Sequence, residues 1–227
     1  MGGGPERASA YSRAGLVRQD VVDPSVPYQP EFQCSFRRAK RYDSATMQNQ
    51  LRLVAIAGLV LGAVFGMAGT FVASNTLRAE FWALDGTALV VATVILALRY
   101  FRAGCDGIAA GFLVYAIGEA VMLTGTSLTP EASAPAFAAG TALWAAGLLL
   151  ISVPGEFAMW SRITGVVAAL LFVSVSARIF AGAAITPLSR PLPFFAYPFL
   201  VLTFIGWIVS LARAERKLTQ PAVAVLP

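Results

Sequence analysis

The chain contains no histidine, only two cysteines and few charges of either sign. The missing histidine excludes His-ligated haem, the zinc-binding HExxH helix, Ser-His or Cys-His nucleophilic pairs and imidazole proton relays. Lys40 and Lys217 are the only lysines and both fall outside the apolar windows, which excludes a retinal-type Schiff base within them. No GxxxxGK[ST] or GxGxxG phosphate-binding pattern occurs. Cys34 and Cys105 show no CxxC spacing, cannot by themselves build a thiolate metal site, and are expected as ordinary free thiols. Two facing aspartates, as an intramembrane aspartyl protease requires, are also missing: Asp85 alone lies well inside an apolar window, and Asp106 sits at the far end of another. An enzyme is therefore not expected, and no cofactor-binding or metal-binding pattern is found.

Charged residues make up 13% of the chain, about half the fraction of an ordinary globular domain, while 57% is hydrophobic. So few charges cannot cover the surface of a soluble fold of this size. The apolar residues fall into six long windows, Leu53–Ala73, Phe81–Leu98, Gly107–Leu128, Ala132–Val153, Ile163–Ile185 and Phe194–Ala212. Roughly 20 residues at about 1.5 Å rise cross a bilayer core of about 30 Å, whereas barrel strands would be about ten residues long with alternating polarity. The expectation is an all-α membrane protein, a bundle of six transmembrane helices. Its organisation reads as a mostly disordered cytoplasmic tail over 1–50 with a short interfacial helix near Ser35–Met47, a membrane domain over 51–215, and a short cytoplasmic tail over 216–227.

The net charge of +5 does not point to nucleic acid, because its placement is that of a membrane protein. Arg37, Arg38, Lys40, Arg41 and Arg52 precede the first window, Arg99 and Arg102 follow the second, Arg162 opens the fifth, and Arg213, Arg216 and Lys217 follow the sixth. Threaded through six spans, all of these lie on one side, and only Arg78 and Arg190 lie in the loops of the other. The positive-inside rule then puts both termini in the cytoplasm. With the Arg-rich, Lys-poor composition, the expected location is a bacterial inner membrane.

Small residues mark helix contacts. Gly58, Gly62 and Gly66 recur every four residues, as do Ala103, Gly107 and Gly111, so each set lines one helix face and allows close backbone approach. A longer spacing also recurs. Gly69, Gly125 and Gly182 are each followed about twelve residues later by Phe81, Phe137 and Phe194, and Leu128-Thr129-Pro130 matches Ile185-Thr186-Pro187, which suggests three repeated helical hairpins. Trp82 and the run Phe194-Phe195-Ala196-Tyr197 are expected at one membrane interface, with Tyr100, Phe101 and Trp160 at the other.

Three ionisable residues interrupt the windows: Asp85, Glu119 and Arg178. Helix rise puts all three in the outer half of the bilayer, within roughly one helical turn (about 5 Å) in depth. A lone charge near the bilayer centre costs about 2.5–3.5 kcal/mol on insertion scales, which an ion pair with Arg178 would offset. Tyr115 precedes Glu119 by four residues and shares its helix face. These four residues form the candidate polar centre. Two functional classes fit it. One is a small transporter or channel whose carboxylates bind a cation or exchange a proton. The other is a non-transporting accessory, assembly or stress-response membrane protein in which the charges only fix the bundle. The partners expected are the lipid bilayer, a homo-oligomeric copy or membrane-complex partner and, for a transporter, a small ion or solute.

Overall fold

The computed structural model describes residues 44–219, with side chains described over 48–213. Six α-helices account for its regular structure: α1 (Ser44–Phe71), α2 (Asn75–Arg102), α3 (Asp106–Leu123), α4 (Ala134–Ser152), α5 (Met159–Phe180) and α6 (Ala196–Thr219). All six are long and apolar enough to cross a membrane. The chain is thus an all-helical, multi-pass membrane protein, as the apolar windows required. α1 begins at Ser44, inside the segment that the sequence marks as a tail. α3 and α5 stop several residues short of their apolar windows, because Gly125 and Gly182 with the nearby Pro130 and Pro187 end the helices there. Most of the interfacial helix expected at Ser35–Met47, and the basic cluster Arg37–Arg41, lie outside the described residues.

Each helix packs against its neighbours in sequence, and α6 returns to α1, so the six form a closed ring. The slightest of these contacts is the one between α1 and α6. Arg52, Arg99, Arg102, Arg162 and Arg213 lie at the end of the ring that holds the α1 N-terminus, hereafter the basic end. The connections 72–74, 124–133 and 181–195 lie at the other, loop end. Large apolar side chains such as Phe71, Phe101, Met159 and Phe180 stand outward with more than half of their surface exposed. An apolar patch of that extent is untenable in water and is the normal solvent face in lipid. Phe101 and Trp160 are exposed at the basic end, as interface aromatics should be, while Tyr100 instead turns inward to stack on Phe112 at 5.5 Å.

Glycine sets how closely the helices approach. On α1, a Cβ at Gly58 would lie 2.7 Å from the Ala88 carbonyl oxygen, Gly62 faces Leu89, and Gly66 faces the Asp85 carboxyl group. The α1 stripe therefore receives α2. The α3/α4 contact is tighter and reciprocal. A Cβ at Gly111 would lie 3.0 Å from the Gly147 carbonyl oxygen and one at Gly147 2.7 Å from the Gly111 oxygen. Gly118 and Gly140 repeat the arrangement at 3.0 Å in both directions. These pairs are seven residues apart on each helix, two turns, so a search for four-residue spacing finds only Gly111 of the four. Gly107, on which that search also falls, has open space beside it.

The connections are closed by backbone satisfaction, which lipid makes obligatory. α2 and α5 end alike. Gly104 and Gly182 adopt left-handed φ of 75° and 90°, and the next residues, Cys105 and Ala183, donate to the Tyr100 and Arg178 carbonyls, a Schellman-type stop. Gly69 and Gly125 adopt no such conformation: Gly69 lies within α1 against Trp82, and Gly125 follows α3. The three glycines of the apparent repeat therefore do three different things. Two arginines reach back to cap the preceding helix. Arg78 bonds the Gly69 and Val72 carbonyls at the end of α1, and Arg162 bonds those of Ser152 at 2.9 Å and Val153 at 2.6 Å at the end of α4. Cys105, buried at the start of α3, is disulfide-bonded, which corrects the expectation of a free thiol there; Cys34 lies outside the described residues.

The glycine geometry makes a paired prediction. Gly147→Ala pushes a methyl into the Gly111 carbonyl and should destabilise the protein by about 1–3 kcal/mol, as overpacking does. Gly107→Ala enters open space in a helix and should be neutral or up to about 1 kcal/mol stabilising. Thermal unfolding of both variants in the same detergent checks the difference.

Candidate functional site

The ring interior divides into two halves. Toward the basic end it is filled by aromatic side chains. Phe112 meets Trp207 edge-on at 4.8 Å, Tyr115 stacks on Trp144 at 5.5 Å with planes 4° apart, and Phe204 lies 5.3 Å from Trp207. Phe157 and Tyr100 extend the cluster outward. Toward the loop end the interior opens into a cavity of about 100 Å³. Its walls come from the second halves of α1 and α3, the first halves of α2, α4 and α6, and the loop residues Gly125, Thr126, Ser133 and Pro187. Trp144 and Phe204 belong to both the cavity wall and the aromatic cluster, so the cluster forms the cavity floor.

Asp85 and Glu119 both line this cavity. Asp85 is held in the third turn of α2, with its carboxyl group against the bare backbone of Gly66; a Cβ there would stand 2.7 Å from Oδ2. One α1 glycine thus makes room for a carboxyl group. Asp85 Oδ1 is buried and has no hydrogen-bond partner among the described residues. Glu119 is 2% exposed, and its Oε1 accepts a hydrogen bond of 3.2 Å from the hydroxyl of Tyr115, one helical turn earlier on α3. Tyr115 is itself fully buried, clamped between Trp144, Phe204 and Trp207. The two carboxyl groups lie close enough for their charges to interact.

Three of the four residues singled out by sequence, Asp85, Glu119 and Tyr115, are therefore neighbours. Arg178 is not among them. It is exposed in the last turn of α5, whose inner face is Ala168, Ala169, Phe172, Val175 and Ser176. Helix rise gives its depth along the membrane normal, but rotation about the α5 axis turns Arg178 outward. A long side chain one turn from a helix end can carry its guanidinium to the interface. Among the described residues neither carboxyl group makes an ion pair. Nor do three or more potential metal ligands gather anywhere among the described residues.

Sequence reasoning misses the aromatic part of the site. Composition assigns Trp82 and Tyr197 to the lipid interface, yet both line the cavity. Tyr197 is oriented by a 3.1 Å hydrogen bond from its hydroxyl to the Pro187 carbonyl, which ties the start of α6 to the loop before it. Trp82 is held by Gly69 on one side and by the Arg78 guanidinium 6.0 Å from its ring. Phe137 and Trp144 come from α4, which carries no charge and offers no signal.

Comparison with known proteins returned no matching family model, no similar curated protein and no similar solved structure.

An outward Arg178 has a measurable consequence. Arg178→Gln should change thermal stability by less than about 0.5 kcal/mol, the usual range for an exposed substitution. Removing the partner of a buried ion pair would cost about 3–5 kcal/mol instead. A melting-temperature comparison with wild type in detergent separates the two.

Proposed function

We propose that this integral membrane protein is a small transporter or channel that accepts a cation or a proton at Asp85 and Glu119. The observation that carries the reading is a pair of carboxyl groups facing one cavity with no ion-pair partner among the described residues. A carboxylate held away from water is costly unless paired. Where such groups serve only to fix helix register, the same fold supplies the counter-charge. Here Arg178 is turned away, so no described residue supplies a counter-charge to the carboxyl pair, which a cation or proton entering the cavity would balance. Intramembrane acidic residues that face a cavity mark ion and proton pathways.

In this reading Glu119 is the deeper binding group and Tyr115 orients it by donating to Oε1. Asp85, with an unsatisfied oxygen, is the group that first meets the incoming cation. The cavity has room for a few water molecules, since one needs about 10–15 Å³ measured this way. The aromatic floor closes the path toward the basic end, so the described conformation offers no access from that end. The arginines at the basic end favour a bacterial inner membrane with that end and both termini cytoplasmic, whereas the disulfide at Cys105, at the same end, favours an oxidising compartment there. We assign the orientation on the arginines, which makes the loop end periplasmic. No chemical transformation is assigned to the site, and a second copy or another membrane protein is a natural partner for so small a bundle.

The test is flux in proteoliposomes. Purified protein should carry a cation or proton current that falls at least ten-fold in Glu119→Gln and in Asp85→Asn. The amide oxygen in Glu119→Gln can still accept the Tyr115 hydrogen bond, so melting temperature should stay within a few degrees. Equal flux in wild type, both variants and empty liposomes would remove the transport reading. If Glu119→Gln instead collapsed stability with no flux to lose, the accessory or assembly role would be the better account.

A further inference from the structure

The two carboxyl groups sit in a chamber whose remaining walls say what kind of cation fits it. Inorganic cations bind where oxygen ligands replace their water, typically six to eight for calcium, an octahedron for magnesium, or rings of backbone carbonyls for potassium. Among the described residues this cavity offers two carboxyl groups and three aliphatic hydroxyls, with no third acidic, histidine or cysteine side chain beside them. Its helices are unbroken at cavity depth, so their carbonyls are engaged in the helical ladder. The hydroxyls of Thr70, Thr126 and Ser133 bond back to the carbonyls of Met67, Leu123 and Pro130. Apart from the carboxyl pair and these hydroxyls, the interior surface is aromatic and aliphatic: Trp82, Phe137, Trp144, Tyr197, Phe204 and Met122 among others.

That combination recognises an organic ammonium ion. Such a cation keeps its charge on a group sheathed in carbon, sheds water at lower cost than a metal ion, and is attracted by aromatic faces as well as by carboxylates. Size is also informative. A cavity of about 150 Å³ holds benzene, so about 100 Å³ suits a cation about two thirds the size of benzene, such as dimethylammonium with its three heavy atoms. We propose that the cavity is a binding site for a small alkylammonium ion, its charge set between Asp85 and Glu119 and its carbon surface against Trp82 and Tyr197. This rests on the reading of the carboxyl pair as a cation site and names the class of cation.

The experiment uses the full chain in lipid nanodiscs, with dimethylammonium as the probe, ethanol as its neutral counterpart of similar shape, and sodium and potassium as inorganic competitors. Binding is followed by isothermal titration calorimetry. Dimethylammonium should bind, ethanol should bind at least ten-fold more weakly, and neither sodium nor potassium at about 100-fold excess should displace it (about tenfold per 1.4 kcal/mol on each comparison). Glu119→Gln should weaken dimethylammonium at least ten-fold. Tyr197→Leu should also weaken it several-fold, whereas Tyr197→Phe, which equally loses the bond to Pro187 but keeps the ring, should not. Sodium, potassium or proton flux that depends on Glu119, without dimethylammonium binding, overturns the alkylammonium site and leaves the cation-site reading standing. Absence of any Glu119-dependent binding or flux overturns both. Equal affinity for ethanol, or equal loss in Tyr197→Leu and Tyr197→Phe, shows that the walls do not recognise the charge and overturns the proposal.

Discussion

Inside a bilayer an apolar side chain gains little by leaving lipid for protein, so helices associate through contact distance and not through the expulsion of water. The ring of six depends on that constraint. Its closest contacts are backbone to backbone, where Gly111 meets Gly147 and Gly118 meets Gly140, and along the α1 stripe from Gly58 to Gly66. These contacts draw α1 onto α2 and α4 onto α3. Elsewhere the ring is held by bulk: Phe112, Phe172, Phe204 and Trp207 fill the space that small residues do not close. The same economy makes the cavity. Close approach at Gly66 brings Asp85 against α1 instead of a side chain, and α1 and α6, which share the slightest contact, leave room between them.

Close packing also bears on how the acidic groups are tolerated. Tyr115 lies within the aromatic cluster and yet ends in a hydroxyl that reaches Glu119. Its ring position is fixed by stacking, so the donor is presented without having to be ordered when a ligand arrives, and preorganisation of this kind lowers the cost of binding. Asp85 has no equivalent donor among the described residues. The pair is therefore unequal: one carboxyl group is hydrogen-bonded by the fold, the other has no donor among the described residues.

Much of this is legible from sequence, and the reason for each success or failure is geometric. Hydrophobic length gives six spans, because the bilayer fixes how many residues a helix needs. Helix rise puts Asp85 and Glu119 at similar heights, as their shared cavity requires, and the four-residue offset of Tyr115 from Glu119 gives a shared face, since both follow from local helix geometry. Rotation of one helix against another does not follow from local geometry. That is why sequence pairs Arg178 with carboxylates it does not meet, and why it places Trp82 and Tyr197 at a membrane interface without revealing that they line the cavity. The Gly111–Gly118 and Gly140–Gly147 pairs escape for a related reason: a two-turn spacing returns to nearly the same face, but only knowledge that α3 and α4 are partners makes the reciprocity visible. The Gly-to-Phe spacing is a regular pattern whose glycines serve three different local structures.

The arrangement of cavity and aromatic floor sets a requirement on any transport cycle. Under the proposed transport reading, a cation released at the basic end would have to pass Trp144, Phe204 and Trp207, which interlock around Tyr115 through ring contacts of about 5–6 Å, the favoured range for aromatic pairs. Those rings lie on α4 and α6, while Glu119 and Tyr115 lie on α3 and Asp85 on α2. α3 is locked to α4 by two glycine pairs, so relative sliding there is the least available motion. The looser joint is between α6 and α1. Movement of α6 would carry Phe204 and Trp207 away from Tyr115 and open the floor beside Glu119, without disturbing the glycine contacts that hold the carboxyl pair in place.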